Sequence, residues 1–208
     1  MKFFNKQKNI LNLRFDKEGN LIRGFTLIET MVAVFILTTS LVSMLSLTTS
    51  SLFASKYANN EITASYLLQE AVDYIRNDRD SLAFQQTDYV GGGWSAFIAK
   101  YNTGGCFSVD GCYIEVAKTI SNINTCAVSP AWGTLHCPVL KYDASASSTS
   151  HNFYNYVSVK DSNFNRKIKM KQNLSNPDEI DITITVEWLN GSIVRSRSLR
   201  SSLLNWLI

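Results

Sequence analysis

From Phe25 to Leu47 the chain runs 23 residues with no glycine, no proline and one ionisable side chain, Glu29. At about 1.5 Å per helical residue such a run spans roughly 35 Å, enough to cross a hydrocarbon core of about 30 Å with some tilt. No other segment can hide this apolar surface as well as a bilayer or a bundle of like helices can. Hydroxyls at Thr26, Thr30, Thr38, Thr39, Ser40, Ser43 and Ser46 interrupt it, each able to bond a carbonyl one turn earlier. The segment is therefore only moderately hydrophobic, which suits a helix that must later leave the bilayer.

Charge decides its orientation. Residues 1–24 carry six basic side chains (Lys2, Lys6, Lys8, Arg14, Lys17, Arg23) against Asp16 and Glu18, a balance of +4; the whole chain is +3, so residues 25–208 carry −1. The positive-inside rule keeps the basic segment cytoplasmic and sends everything after Leu47 across the membrane. A secretory signal peptide has a shorter apolar core followed by a small-residue cleavage site, whereas here the small residue, Gly24, precedes the apolar run. Cleavage at Gly24 would remove the leader and keep the helix. Glu29 costs about 2.5 to 3.5 kcal/mol at the centre of a membrane and less near its edge, and a partner cation recovers part of that. The bland alternative, a carboxylate that snorkels in an ordinary anchor, is disfavoured because intramembrane acids are rare and usually functional.

Gly24-Phe25-Thr26-Leu27-Ile28-Glu29, followed by Val32, Ala33, Val34, Phe35 and Leu37, resembles the class III signal of type IV prepilins and pseudopilins. The resemblance implies cleavage after Gly24 by a prepilin peptidase, N-methylation of Phe25, and a role for Glu29 in setting axial register against the N-terminus of a neighbouring pilin subunit. It further implies an inner-membrane assembly platform and lipid as partners before assembly. The location implied is a single-pass cytoplasmic-membrane protein that passes into an extracellular pilus or periplasmic pseudopilus, its globular domain extracytoplasmic.

About 160 residues follow the membrane run, which fits one domain with a sizeable core. Cys106, Cys112, Cys126 and Cys137 all fall on the exported side. An even count in an oxidising compartment favours two disulfides among three possible connectivities, with sequential pairing preferred because both loops are short. Zinc, with His136 as a further donor, is the competing reading; the spacings contain no C-x-x-C step, so no metal and no cofactor are expected.

Ala64, Leu68, Ala71, Val72 and Ile75 form an apolar stripe at helical spacing, with Glu61, Glu70, Asp73, Arg76 and Asn77 off it. This predicts one continuous helix from Phe25 to about Asp80, membrane-spanning over 25–47 and amphipathic over 48–80. Residues 81–112, punctuated by Gly91, Gly92, Gly93, Gly104, Gly105 and Gly111, read as loop. The triple glycine lacks the Gly-Lys-Ser/Thr of a phosphate loop. Ala144–Ser150 reads as an exposed polar loop.

Short β-prone runs at 113–118, 155–159 and 166–171 lead to a clear alternation: Ile180, Ile182, Ile184, Val186 and Trp188 on one face, Asp181, Thr183, Thr185 and Glu187 on the other. Asn176-Pro177-Asp178 and Asn190-Gly191 read as turns. A three-residue loop over 189–191 would pair Val186 with Val194 and keep Arg195 and Arg197 off the apolar face, so it is preferred to a two-residue Asn-Gly loop. The fold class expected is α+β: a long N-terminal transmembrane helix packed on a C-terminal antiparallel sheet, with a leader at 1–24, a helix at 25–80 and a globular domain at 81–208.

Phe164, Arg166 and the 182–188 hairpin are similar to the C-terminal half of PilV-like minor pilins and of the pseudopilin I subunit of type II secretion. The leader is longer than usual there, and a glycine- and cysteine-rich loop separates helix from meander. The function expected is therefore a minor prepilin; a type II secretion pseudopilin is the alternative in the same family. From another class comes a single-pass exported binding or hydrolytic domain. Catalysis has little support, since His136 and His151 are the only histidines and no nucleophile elbow or carboxylate pair stands out. Arg195, Arg197 and Arg200 with Lys167, Lys169 and Lys171 could form a stripe for nucleic acid. Solvated strand faces are the preferred reading, because residues 25–208 are near neutral and offer no aromatic stacking platform.

Overall fold

The computed structural model describes residues 26–85, 92–115, 122–127, 132–142, 153–157 and 160–206. Gly24 and Phe25, the leader, and the loop expected at 144–150 lie outside them.

The chain divides into two compact units, residues 1–53 and 54–208. In the first, the described residues are helical from Leu27 onward, the start of helix α1 (Leu27–Gln85). Every one of them is exposed, and by length and composition the helix can cross a membrane. The hydroxyls bond back as their spacing predicts: Thr30 donates to Leu27 O at 2.8 Å, Thr38 to Phe35 O at 2.9 Å, Ser43 to Ser40 O at 2.8 Å and Thr48 to Met44 O at 2.9 Å. These four hydroxyls are satisfied within their own helix, so they need no partner in lipid.

In the second unit, Ala64, Leu68, Ala71, Val72 and Ile75 are buried together with Leu67, as the helical stripe requires. They meet the inner face of a seven-stranded antiparallel sheet: β1 (Cys112–Glu115), β2 (Asn122–Thr125), β3 (Val139–Tyr142), β4 (Tyr154–Asn155), β5 (Lys160–Asn173), β6 (Asn176–Asn190) and β7 (Ile193–Leu204). Strand β5 is the hub. It pairs with β6 along one side, and its other side is shared by β3 near residues 160–165 and by β1 at Ile168. The inner face carries Phe164, Ile168, Met170, Ile180, Ile182, Ile184, Val186, Trp188 and Leu203, all buried. This is the half-solvated sheet that alternation in β6 demands.

Three expectations are corrected. Residues 81–112 are not all loop: α1 runs on to Gln85, and helix α2 occupies Gly92–Thr103. Phe97 and Tyr101, four residues apart, are buried on one face of α2 with ring centroids 4.6 Å apart, and Lys100 anchors it to Asp78 of α1 at 2.7 Å. The glycines drew attention to a loop, while the i, i+4 aromatic pair behind them carried the helix.

The turn expected at Asn176-Pro177-Asp178 lies earlier, at Leu174-Ser175, where Asn173 Oδ1 accepts from Ser175 N at 3.0 Å. Pro177 sits inside the first turns of β6, near the start of a strand where a missing N–H costs least.

The last hairpin adopts neither register considered. Asn190 pairs with Ile193 and Val186 with Arg197, leaving Gly191 and Ser192 as the loop. Gly191 takes φ +66°, the requirement of the first position of a type II′ turn. Arg195 and Arg197 therefore lie on the same face as Trp188 and Val186. They remain solvated because the helix stripe does not extend over β7: Arg197 reaches Glu61, and the Arg195 guanidinium lies 5.9 Å from the Tyr57 ring centroid.

Candidate functional site

Thr26 and Glu29 form the start of the apolar helix. Thr26 precedes the first helical residue; Glu29 N donates to Thr26 Oγ1 at 3.3 Å and to Thr26 O at 3.0 Å, and Thr30 N donates to Thr26 O at 3.2 Å. Thr26-x-x-Glu29 is thus a capping sequence, and it puts the only carboxylate of the run in the first helical turn, where the positive end of the helix dipole favours it. Sequence reasoning treated Thr26 as one more hydroxyl; the [ST]-x-x-E spacing was the signal that could have identified the cap.

Beyond Glu29 the helix through Phe53 offers Val32, Phe35, Leu41, Leu45 and Phe53 at 50% to 69% exposure. So continuous an apolar surface is stable only against lipid or against other apolar helices.

The second unit is held by two polar locks. Arg166 of β5 has a side chain only 1% exposed; Nη1 donates to Leu67 O at 3.1 Å and to Glu70 Oε2 at 2.6 Å, and Nη2 donates to Ile114 O at 3.3 Å. One guanidinium therefore ties α1, β1 and β5 together. Burial by itself would lower its pKa, but Tyr156 and Glu70 outweigh burial and the net direction is upward. The Tyr156 hydroxyl, buried beside it, is pushed up to about 12, chiefly by burial.

The second lock is Glu187 on the outer face of β6. Its two oxygens accept from Thr134 N at 2.8 Å and from Thr134 Oγ1 at 2.6 Å, which holds the 132–137 segment against the sheet. Gly133, at φ +81°, lies so close that an added Cβ would collide with Glu187 Oε2.

The cysteines reinforce the same region. Cys106 bonds to Cys112 and Cys126 to Cys137, the sequential connectivity. Met170 N donates to Cys106 O at 2.9 Å and Cys126 N to Gly111 O at 2.9 Å, so both covalent loops are stitched to the β1–β5 side of the sheet. With every sulfur in a disulfide, none is a metal ligand, and the described residues contain no His, Cys, Asp or Glu cluster placed for a metal. His136 is exposed beside Cys137 with φ 56°.

The basic side chains considered together in the sequence are divided by the sheet. Arg195 and Arg197 belong to the inner face of β7. Lys167, Lys169, Lys171 and Arg200 belong to the outer face, where Lys169 and Arg200 flank Thr183 in neighbouring strands. Burial, then the nearby Lys169, lowers the Lys167 pKa.

Residues 20–45 match the family model of the prokaryotic N-terminal methylation motif. No curated protein and no solved structure matches the chain. The matched stretch contains the glycine–aromatic junction, Glu29 and the exposed helix start, and the remainder of the chain supplies the helix-on-sheet layout of type IV pilins. The motif and the α+β architecture together support membership of the type IV prepilin and pseudopilin family.

Proposed function

We propose that the protein is a minor prepilin, processed after Gly24, N-methylated on Phe25 and assembled through its N-terminal helix into a type IV pilus or pseudopilus. Residues 1–24 serve as the cleaved leader, the helix from residue 25 as the anchor and then the filament core, and the remainder as an extracytoplasmic head. The observation that carries this reading is the pairing of the motif over residues 20–45 with an apolar helix start exposed on every side. Such a surface needs lipid before assembly and neighbouring helices afterwards. Glu29, the one charge on it, would pair with the methylated amine of an adjacent subunit; leaving the bilayer for the filament then exchanges a costly isolated carboxylate for a paired one.

The head supports a structural role. Its polar locks and disulfides fix loops to the sheet. The resemblance of Phe164, Arg166 and the 182–188 hairpin to PilV-like minor pilins favours a minor subunit. Arg166 is here a buried clamp between helix and sheet, a reason for that strand to be retained in a helix-on-sheet head.

The test is Glu29→Ala in the producing cell. Export and leader removal should persist, with the mature protein in the membrane fraction, while its amount in sheared surface filaments or periplasmic pseudopili falls at least tenfold. Filament incorporation at the wild-type level would overturn the reading, as would mass spectrometry showing Met1 retained on the membrane-localised protein.

A further inference from the structure

Strand β7 ends the sheet. Among the described residues only β6 pairs with it, so one side of a 12-residue strand presents its peptide groups to solvent. Sheet edges are ordinarily blunted by prolines, bulges, short length or charge, and of these β7 has only charge, its three arginines. Residues 193–204 contain no proline, their register with β6 runs from Glu179↔Leu204 to Asn190↔Ile193 without a shift, and Ile193, Val194 and Leu199 are 56%, 40% and 38% exposed. The strand is a ready template for another.

Its charge says what kind. Arg195, Arg197 and Arg200 lie in β7 with no acidic residue between Ile193 and Leu204. Two open grooves flank the strand, one on each face. On the helix side a groove of about 470 Å³ holds Arg76 and Arg197, paired with Asp73 and Glu61 respectively. On the outer side a groove of about 820 Å³, walled by Phe107–Val109, places Lys169, Lys171 and Arg200 near Asp181. The outer groove thus has three cations to one carboxylate, and among the described residues Lys169, Lys171 and Arg200 form no ion pair, whereas the helix-side cations are already paired.

A second copy of β7 would bring six arginines onto one short ribbon with no acidic residue in either strand to offset them. Nucleic acid would find charge but only one aromatic ring, Phe107, and so no run of rings on which successive bases could stack. An extended peptide meets both requirements, because backbone bonds to an open edge supply affinity while alternate side chains enter pockets on the two faces. We propose that β7 accepts an acidic, extended segment of a different polypeptide by strand addition, its backbone on the open edge and its carboxylates in the outer groove beside Lys169, Lys171 and Arg200. This goes beyond the assembly reading and requires no filament, so the two can fail separately.

The test uses the full-length protein in detergent micelles and a fluorescent ten-residue β-prone peptide carrying glutamates on one face. Saturable binding by anisotropy is expected, at least tenfold weaker for the same peptide with lysine in place of glutamate. Binding should slow amide hydrogen exchange across 193–204. Lys169→Gln with Arg200→Gln, which removes two unpaired cations and breaks no internal ion pair, should weaken binding at least fivefold with an unchanged circular dichroism spectrum. Absence of binding, equal binding of the lysine peptide, or binding without slowed exchange in β7 would each overturn the proposal. So would assembly of the protein through β7 with itself.

Discussion

The Arg166–Glu70 clamp gives an ordering of variants opposite to what exposure alone suggests. Arg166 is 1% exposed and Glu70 31%, so truncating the arginine looks like the graver change. The electrostatics run the other way. Glu70→Ala leaves a guanidinium that cannot lose its proton buried without a counter-ion, and breaking a buried pair in this direction costs about 3 to 5 kcal/mol. The lower end applies, because water can enter where the Glu70 side chain stood.

Arg166→Met fills much of the same volume with apolar atoms, and Glu70 turns to solvent. The remaining loss is the set of bonds to Leu67 O, Glu70 and Ile114 O, partly recovered by removing a desolvated charge, for a net of about 1 to 2 kcal/mol. The double variant should then be more stable than Glu70→Ala alone. Urea unfolding of the full chain in detergent can be followed by the fluorescence of its four tryptophans, among them Trp188, which is 2% exposed in the core. If Arg166→Met proves the more damaging single change, or if the two changes simply add, the clamp does not work through an uncompensated buried charge.

Gly133→Ala forces a Cβ toward Glu187 Oε2 at a positive φ, so a loss of about 1 to 3 kcal/mol is expected, accompanied by faster proteolysis within 132–137. Glu187→Gln in the same background should not restore it, since the collision is steric. Alkali should destabilise the head: Tyr156 ionises near 10 when unfolded and about 12 when folded, so its contribution is complete below pH 10 and is lost as pH rises to 12, by up to about 3 kcal/mol. Tyr101 is shifted the same way by burial and then by Asp78, and the loss should be shallower in Tyr156→Phe when unfolding is followed against pH. Opening the Cys126–Cys137 loop of sequence separation 11 by Cys126→Ser with Cys137→Ser should cost about 2 to 4 kcal/mol in thermal unfolding under oxidising conditions.

Three features were legible in the sequence because each depends on local periodicity or on composition. A run with a single charge must form an apolar helix long enough to cross a membrane, a 3.6-residue stripe from Ala64 to Ile75 must face a core, and the two-residue alternation from Ile180 to Trp188 must lie in a half-buried strand. The processing motif and its surrounding charge are likewise contiguous, so a reading frame of fifteen residues was enough to suggest the family. Helix α2 could also have been found locally, from Phe97 and Tyr101 one helical turn apart, had the flanking glycines not dominated the reading.

The tertiary structure alone decided which polar groups are structural. Arg166 and Lys167 are neighbours in an ordinary β-prone run; only the placement of β5 beneath α1 sends one side chain to Glu70 and the other to the outer face. A shift in hairpin loop position likewise moved Arg195 and Arg197 to the inner face of an edge strand, in a register held over twelve residue pairs from Glu179↔Leu204 to Asn190↔Ile193 rather than by the turn dipeptide alone. Whether a buried charge is a clamp or a liability depends on partners 96 residues away in the chain, as Glu70 is from Arg166. Sequence fixes what each segment must hide, and the packing of distant segments fixes which charges are hidden with it.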